Sequence, residues 1–198
     1  MVEASPDAAL RRAVIAVALL NLSYFGVEFT VGWRIGSVSL FADSVDFLED
    51  AAVNLLIAVA LGWSVAARAR LGMALAAILL VPGLATVAAI WHQFSVQAVP
   101  EPVQLTVTGM GALAVNLTCG FILARFRHHS GSLTRAAFLS ARNDAFANLA
   151  IIAAGAVSAL AWHSAWPDLI VGIGIAALNA DAAREVWQAA RREREAAA

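Results

Sequence analysis

Lysine is absent from this 198-residue chain, and all thirteen basic residues are arginine. Charge of either sign is scarce: 14% of residues are Asp, Glu, Lys or Arg, where a soluble domain carries about 25%. A net charge of −1 leaves no basic surplus for a nucleic-acid partner. There is one cysteine, Cys119, inside an apolar run. It excludes an internal disulfide and a metal site built on thiolates alone. No H-E-x-x-H motif and no nucleophile–base pair stands out, so the chain is not read as an enzyme. What the chain has in excess is apolar. It is 61% hydrophobic with a mean hydropathy of +0.77, beyond the roughly 45–50% that a soluble core uses. An all-α integral membrane protein follows, because the apolar runs are continuous and barrel strands alternate.

A helix needs about 20 mostly apolar residues to cross the hydrocarbon core. Six such segments can be drawn: 13–33, 38–63, 71–90, 105–124, 136–160 and 167–187. Arg11 and Arg12 before the first run resemble the start of a signal peptide. The run that follows is about 20 residues long, against about 7–15 for a secretory core, and reads as a retained span. The arginines set the orientation. Arg11, Arg12, Arg68, Arg70, Arg125, Arg127, Arg135, Arg184, Arg191, Arg192 and Arg194 all fall on one side of a six-span topology, with Arg34 opposite. Both termini are therefore expected in the cytoplasm. The stretch "WHQFSVQAVPEPVQ" carries two prolines and reads as an irregular outer loop. The expected organisation is a cytoplasmic segment over 1–12, a six-helix transmembrane domain over 13–188 and a short charged cytoplasmic tail over 189–198, with no C-terminal regulatory domain.

Against this background "LFADSVDFLED" is out of place, with Asp43, Asp46, Glu49 and Asp50 beside long apolar runs. A carboxylate at mid-bilayer costs roughly 2.5–3.5 kcal/mol on insertion scales. Several are tolerable only if they face the bundle interior, water, one another or a cation. At 100° per residue all four fit a sector of about 120°, and Asp46 and Asp50, at i and i+4, stack on one face. Asn54 continues that row. Paired carboxylates one turn apart suit a divalent cation, to which each offers a hard oxygen. Without metal, two such groups in a low-dielectric site tend to hold a proton, so metal and proton compete for one place.

The fifth span carries an echo. "EDAAVNL" and "NDAFANL" share Asp-Ala and then Asn-Leu at the same offsets. Asp50 aligns with Asp144, Asn54 with Asn148, and Asp46 with Ser140. Ser140, Asp144 and Asn148 again share one helical face. Plainer roles stand beside these. Asp43 lies near the outer end of its span, where it can cap the helix or pair with Arg34. Glu49 can be a flanking or salt-bridge residue. Asn54 and Asn148 can be hydrogen-bonding links between helices, and Ser140 can bond its own i−4 carbonyl. Asn143 sits about 100° off the Asp144 row. Asn21 and Glu28 share a face of the first span, Glu28 as a lone intramembrane acid. His128 and His129 lie in a cytoplasmic loop beside arginines, and His92 and His163 at the interfaces.

"GSVSLFADSVDFLEDAAVNLL" resembles the second transmembrane helix of the cation diffusion facilitator (cation efflux) family, and "FLSARNDAFANLAIIAAGAV" resembles its fifth. "WPDLIVGIGIAAL" resembles the start of its sixth. The resemblance implies a homodimeric exporter in the cytoplasmic (inner) membrane. It would move a divalent metal of the zinc, manganese, iron, cobalt and cadmium class, with protons as counter-ion. The implied transport site is Asp46, Asp50, Ser140 and Asp144, with Asp43, Glu49, Asn54, Asn143, Asn148 and Glu28 as accessory candidates. Two features depart from the family pattern. Ser140 stands where a histidine or aspartate is usual, leaving three carboxylates and no imidazole, a set that suits manganese or iron at least as well as zinc. No counterpart of the family's cytoplasmic C-terminal domain is expected, and a dimer is then expected to form through the membrane helices. The alternative is a non-transporting membrane subunit or degenerate paralogue of the same fold.

Overall fold

The computed structural model describes residues 6–60, 84–126 and 131–178. Among them are six helices and no strand: α1 (Pro6–Ile35), α2 (Val38–Ala60), α3 (Leu84–Val96), α4 (Pro102–Ala124), α5 (Gly131–Leu160) and α6 (Trp166–Leu178). Three of them, over Ala8–Ile35, Pro102–Ala124 and Ser140–Leu160, are long and apolar enough to cross a membrane. α2 has the length as well, but its four acids set it apart by composition. Residues 61–83 and 179–198, and with them Arg68 and Arg70, parts of the second, third and sixth expected spans and the charged tail, lie outside the described residues. So do His128 and His129.

The first connection shows how sequence turns the chain. α1 ends where Gly36 takes φ +68, a left-handed conformation that glycine adopts without steric cost. The Ser37 amide then closes back on the Gly32 carbonyl at 3.0 Å. Two residues later α2 begins, so α1 and α2 form a tight antiparallel hairpin. Tyr24 meets Phe47 with ring centroids 5.1 Å apart, and the Gly32 position abuts Leu40 and Phe41. α4 and α5 form a second antiparallel pair, with Gly109 against Ile151 and Gly155 against Thr106. α1 packs on α4 and α2 on α5, closing a four-helix ring. α3 and α6 join at the start of α2, where Val38, Ala165 and Leu169 pack with Ala89 and Ile90.

The interior is layered. At one end Leu10, Val14, Val17, Ile57, Ala58, Cys119, Leu123 and Ala141 form an apolar cluster. At the other, Leu40, Ala42, Leu105, Ile151 and Ile175 form a second. Between them along α1, α2 and α5 lie the buried polar residues Asn21, Glu28, Asp43, Asp50 and Asn148. The outside inverts the usual soluble pattern: Val107, Phe121, Phe146 and Leu178 are each more than 60% exposed, as surfaces meeting hydrocarbon should be. Arg11, Arg12, Arg125 and Arg142 are exposed near the first cluster, and Arg34 is exposed at the far end of α1.

One expectation needs correction. The outer stretch read as irregular from Trp91 is helical through Val96, and only residues 97–101 leave the helix. The reason is Gln93, which is 2% exposed and turns its amide onto the Ala98 carbonyl. It satisfies the exiting backbone instead of breaking the helix. α4 then starts at Pro102, capped by Glu101, whose carboxylate accepts from the Val103 and Gln104 amides at 3.2 and 2.7 Å.

α6 approaches α2 closely because Gly172 has no side chain. A Cβ there would lie 2.6 Å from Val38 Cγ1 and 2.7 Å from backbone atoms of Val38 and Ser39. Backbone cannot move aside as a side-chain tip can. Gly172→Ala should therefore destabilise the bundle by roughly 1–3 kcal/mol, the usual cost of overpacking. Thermal denaturation of the detergent-solubilised protein reads this directly.

Candidate metal centre

The polar layer is built by two helices that carry the same short pattern. On α2, Asp50 is 5% exposed and Asn54 1% exposed. Asn54 donates its amide to the Asp50 carbonyl at 2.8 Å. On α5, Asn148 does the same to the Asp144 carbonyl, also at 2.8 Å. Each asparagine thereby braces the turn that presents an aspartate. Each also keeps a buried side-chain oxygen without a hydrogen-bond partner. The echo seen in the sequence is thus an echo in geometry.

The two helices meet at the aspartates. Ser140 Oγ donates to Asp50 Oδ1 at 2.9 Å, and Asp144 follows Ser140 by one turn on the same face of α5. The face of α5 that brings Ser140 to Asp50 thus carries Asp144 as well. Asp50, Asp144 and Ser140 therefore converge. Asp46 is half-buried one turn away. No three His, Cys, Asp or Glu side chains among the described residues stand close enough to form a ready-made metal shell. The side chains that converge here offer hard oxygens, the chemistry of a divalent cation, while the buried Cys119 thiol donates to Asn21 Oδ1 at 3.6 Å.

Other candidates land differently. Asn143 is exposed and accepts from Arg142 at 3.3 Å, so it faces away from the layer, as its offset from the Asp144 row requires. Glu49 is half-buried, with only electrostatic reach to Asp46, Asp50 and Asp144. Asp43 departs most from expectation. It neither caps α2 nor pairs with Arg34. It is fully buried against Glu28 of α1, because its offset of about 60° from Asp46 turns it toward the hairpin partner.

Residues 14–192 match the sequence profile described as the cation efflux transmembrane domain. The chain belongs to the cation efflux family. Among its relatives is the cation-efflux pump FieF of Salmonella arizonae, 29% identical across 83% of this chain and 59% of the relative. The protein of the same name from Salmonella typhi is 28% identical across the same shares. The chain thus spans about three fifths of the length of these relatives.

Within this cation efflux domain, one residue that sequence reasoning passed over holds the site's frame. Asp168, at the start of α6, is fully buried. Its Oδ1 accepts from the hydroxyls of Ser37 and Ser39 at 2.6 and 2.5 Å and from the Ser39 amide at 3.2 Å, while its Oδ2 accepts from the Val38 amide at 2.7 Å. The free amides at the start of α2 are capped by a carboxylate from another helix. The available signal was the pairing of "GSVS" at a helix start with an acid early in the sixth span.

Proposed function

We propose that this protein exports a divalent metal cation across the cytoplasmic (inner) membrane in exchange for protons, as a homodimer assembled through its helices. The observation that carries the reading is the convergence of Asp50, Asp144 and Ser140 from two helices in a polar layer sealed at both ends by apolar clusters. A group of acids in that setting needs positive charge. A metal ion supplies it in one state, and protons on the same oxygens supply it when the ion has left. Asp46 closes on the ion from one turn away. Membership in the cation efflux family supports the reading. So does the gathering of Arg11, Arg12, Arg125 and Arg142 at one end of the bundle, the distribution that the positive-inside tendency associates with a cytoplasmic face.

The test is flux in proteoliposomes. The reconstituted protein should move metal when a pH gradient is imposed, and a panel of manganese, iron, zinc, cobalt and cadmium should rank its preference. Ser140 tunes that rank. Ser140→His adds an imidazole, a ligand that suits zinc better than an all-oxygen set does. The ratio of zinc to manganese flux should rise by about tenfold, equivalent to about 1.4 kcal/mol of added discrimination. An unchanged ratio would remove Ser140 from the ion's surroundings.

A second reading is a non-transporting membrane subunit of the same fold. It is favoured by Ser140 being a neutral hydroxyl already donated to Asp50. Absence of saturable metal binding, with co-purification of a partner, would select it.

A further inference from the structure

A second pair of acids stands apart from Asp50 and Asp144. Glu28 on α1 and Asp43 on α2 are each 0% exposed. None of their carboxyl oxygens has a hydrogen-bond partner, and the hairpin register sets the two residues opposite each other, between the Tyr24–Phe47 and Gly32–Leu40 contacts. The nearby hydroxyls are committed to backbone. Tyr24, one turn before Glu28, donates to the Thr108 carbonyl at 2.7 Å, and Ser44, next to Asp43, donates to the Phe41 carbonyl at 2.8 Å. Arg34 is exposed. The sequence offers Asp43 a cap or a pairing with Arg34 and leaves Glu28 a lone intramembrane acid, whereas the hairpin sets the two against each other. Two sets of acceptors face one another across the α1–α2 interface with no donor among the described residues.

Removing a carboxylate from water without compensation costs several kcal/mol. Two that face each other add repulsion to that cost. A proton held between the two carboxyls relieves this in the absence of metal, and a cation seated between them relieves it when one is bound. Two carboxylates balance a divalent ion, they come from different helices, and every donor atom is a hard oxygen. Asp43 precedes Asp50 by seven residues, about 10 Å along the helix at 1.5 Å per residue. That separation is too large for one ion to touch both pairs.

We propose that Glu28 and Asp43 form a second binding site for a hard divalent cation, separate from the one at Asp50, Asp144 and Ser140. The inference rests on the transport reading for its ligand class, since both sites lie in one polar layer and the ion passes from one to the other. The α2–α5 pair holds the ion first. The α1–α2 pair receives it nearer the turn at Gly36, toward the outer end.

The experiment counts bound Mn²⁺ on the full chain in nanodiscs, with Mn²⁺ as the only metal and the free ion followed by electron paramagnetic resonance. The unmodified protein should bind two ions per chain. The E28Q/D43N variant should bind one, and the D50N/D144N variant should bind one. Adding E28Q to D50N/D144N should abolish binding. A count of one on the unmodified protein, lost in D50N/D144N, overturns the second site and leaves the transport site standing. A count of two that survives E28Q/D43N overturns it equally. No binding at all overturns both. The count on the unmodified protein needs no variant, so misfolding cannot mask it. Glu28→Gln alone, which keeps the side-chain volume, should show the same loss of one ion.

Discussion

Asp50→Asn or Asp144→Asn should abolish metal flux in proteoliposomes, lowering the rate by about a hundredfold or more. Both substitutions keep size and shape and remove a charge. A unit charge 4 Å away at an effective dielectric constant of 20 is worth about 4 kcal/mol, and each 1.4 kcal/mol is tenfold in binding. Desolvation of the carboxylate offsets part of that, so a hundredfold loss is the conservative expectation. The fold should survive, since the neutral amide relieves the crowding of buried acids, and Asn54 and Asn148 still brace their turns. The variants should therefore run as well-behaved particles on size exclusion while failing to transport. Glu49→Gln is the matched control. Its carboxyl is half-buried on the same helix, about 100° around it from Asp50, so flux should stay near that of the unmodified protein. Wild-type flux in Asp50→Asn would remove that residue from the ion's path.

The parts of this arrangement that were legible in the sequence are those set by a single helix. Asp46 with Asp50, and Asp144 with Asn148, follow from a period of 3.6 residues and need no knowledge of neighbours. So does the outward turn of Asn143. Apolar runs located the bulk of α1, α4 and α5 for the same reason, and the differences at their ends come from caps: Glu101 starts α4 three residues earlier than hydropathy alone marks it. What was not legible depends on which helix lies opposite. A helical wheel turns Asp43 away from Asp46, but only the α1–α2 hairpin, fixed by Gly36, sets Glu28 against it. The end of α3 was hidden because Gln93 and His92 read as polar loop, whereas Gln93 is an internal cap. Asp168 was invisible as an isolated acid, since its donors lie more than a hundred residues earlier in the chain.

Asp168→Ala should cost the protein more stability than any other single change considered, and it should do so without touching the ion. Its carboxylate accepts from two hydroxyls and two amides, all buried. Hydrogen bonds to a charged group contribute about 1.5–3 kcal/mol each, and a buried donor left without a partner costs about 1–3 kcal/mol. The bonds are not additive, because they share one acceptor group. A loss of about 3 kcal/mol or more is still expected, a fall in Tm of roughly 5–10 °C for a chain of this size. Asp168→Asn should lie in between, because its amide retains one acceptor oxygen but sets an NH₂ donor against the donors that faced the other. The loss should be read by thermal denaturation in detergent, and the location of the damage by hydrogen exchange. Amides of Val38, Ser39 and Leu40 should exchange faster, while those of α4 stay protected. The site would feel this through α2 alone: a start of α2 released from α6 lets Asp46 and Asp50 shift relative to Asp144. Metal affinity should then fall less than in Asp50→Asn, and excess metal should restore it. Unaltered exchange at the start of α2 would show that Ser37 and Ser39 hold that turn by themselves.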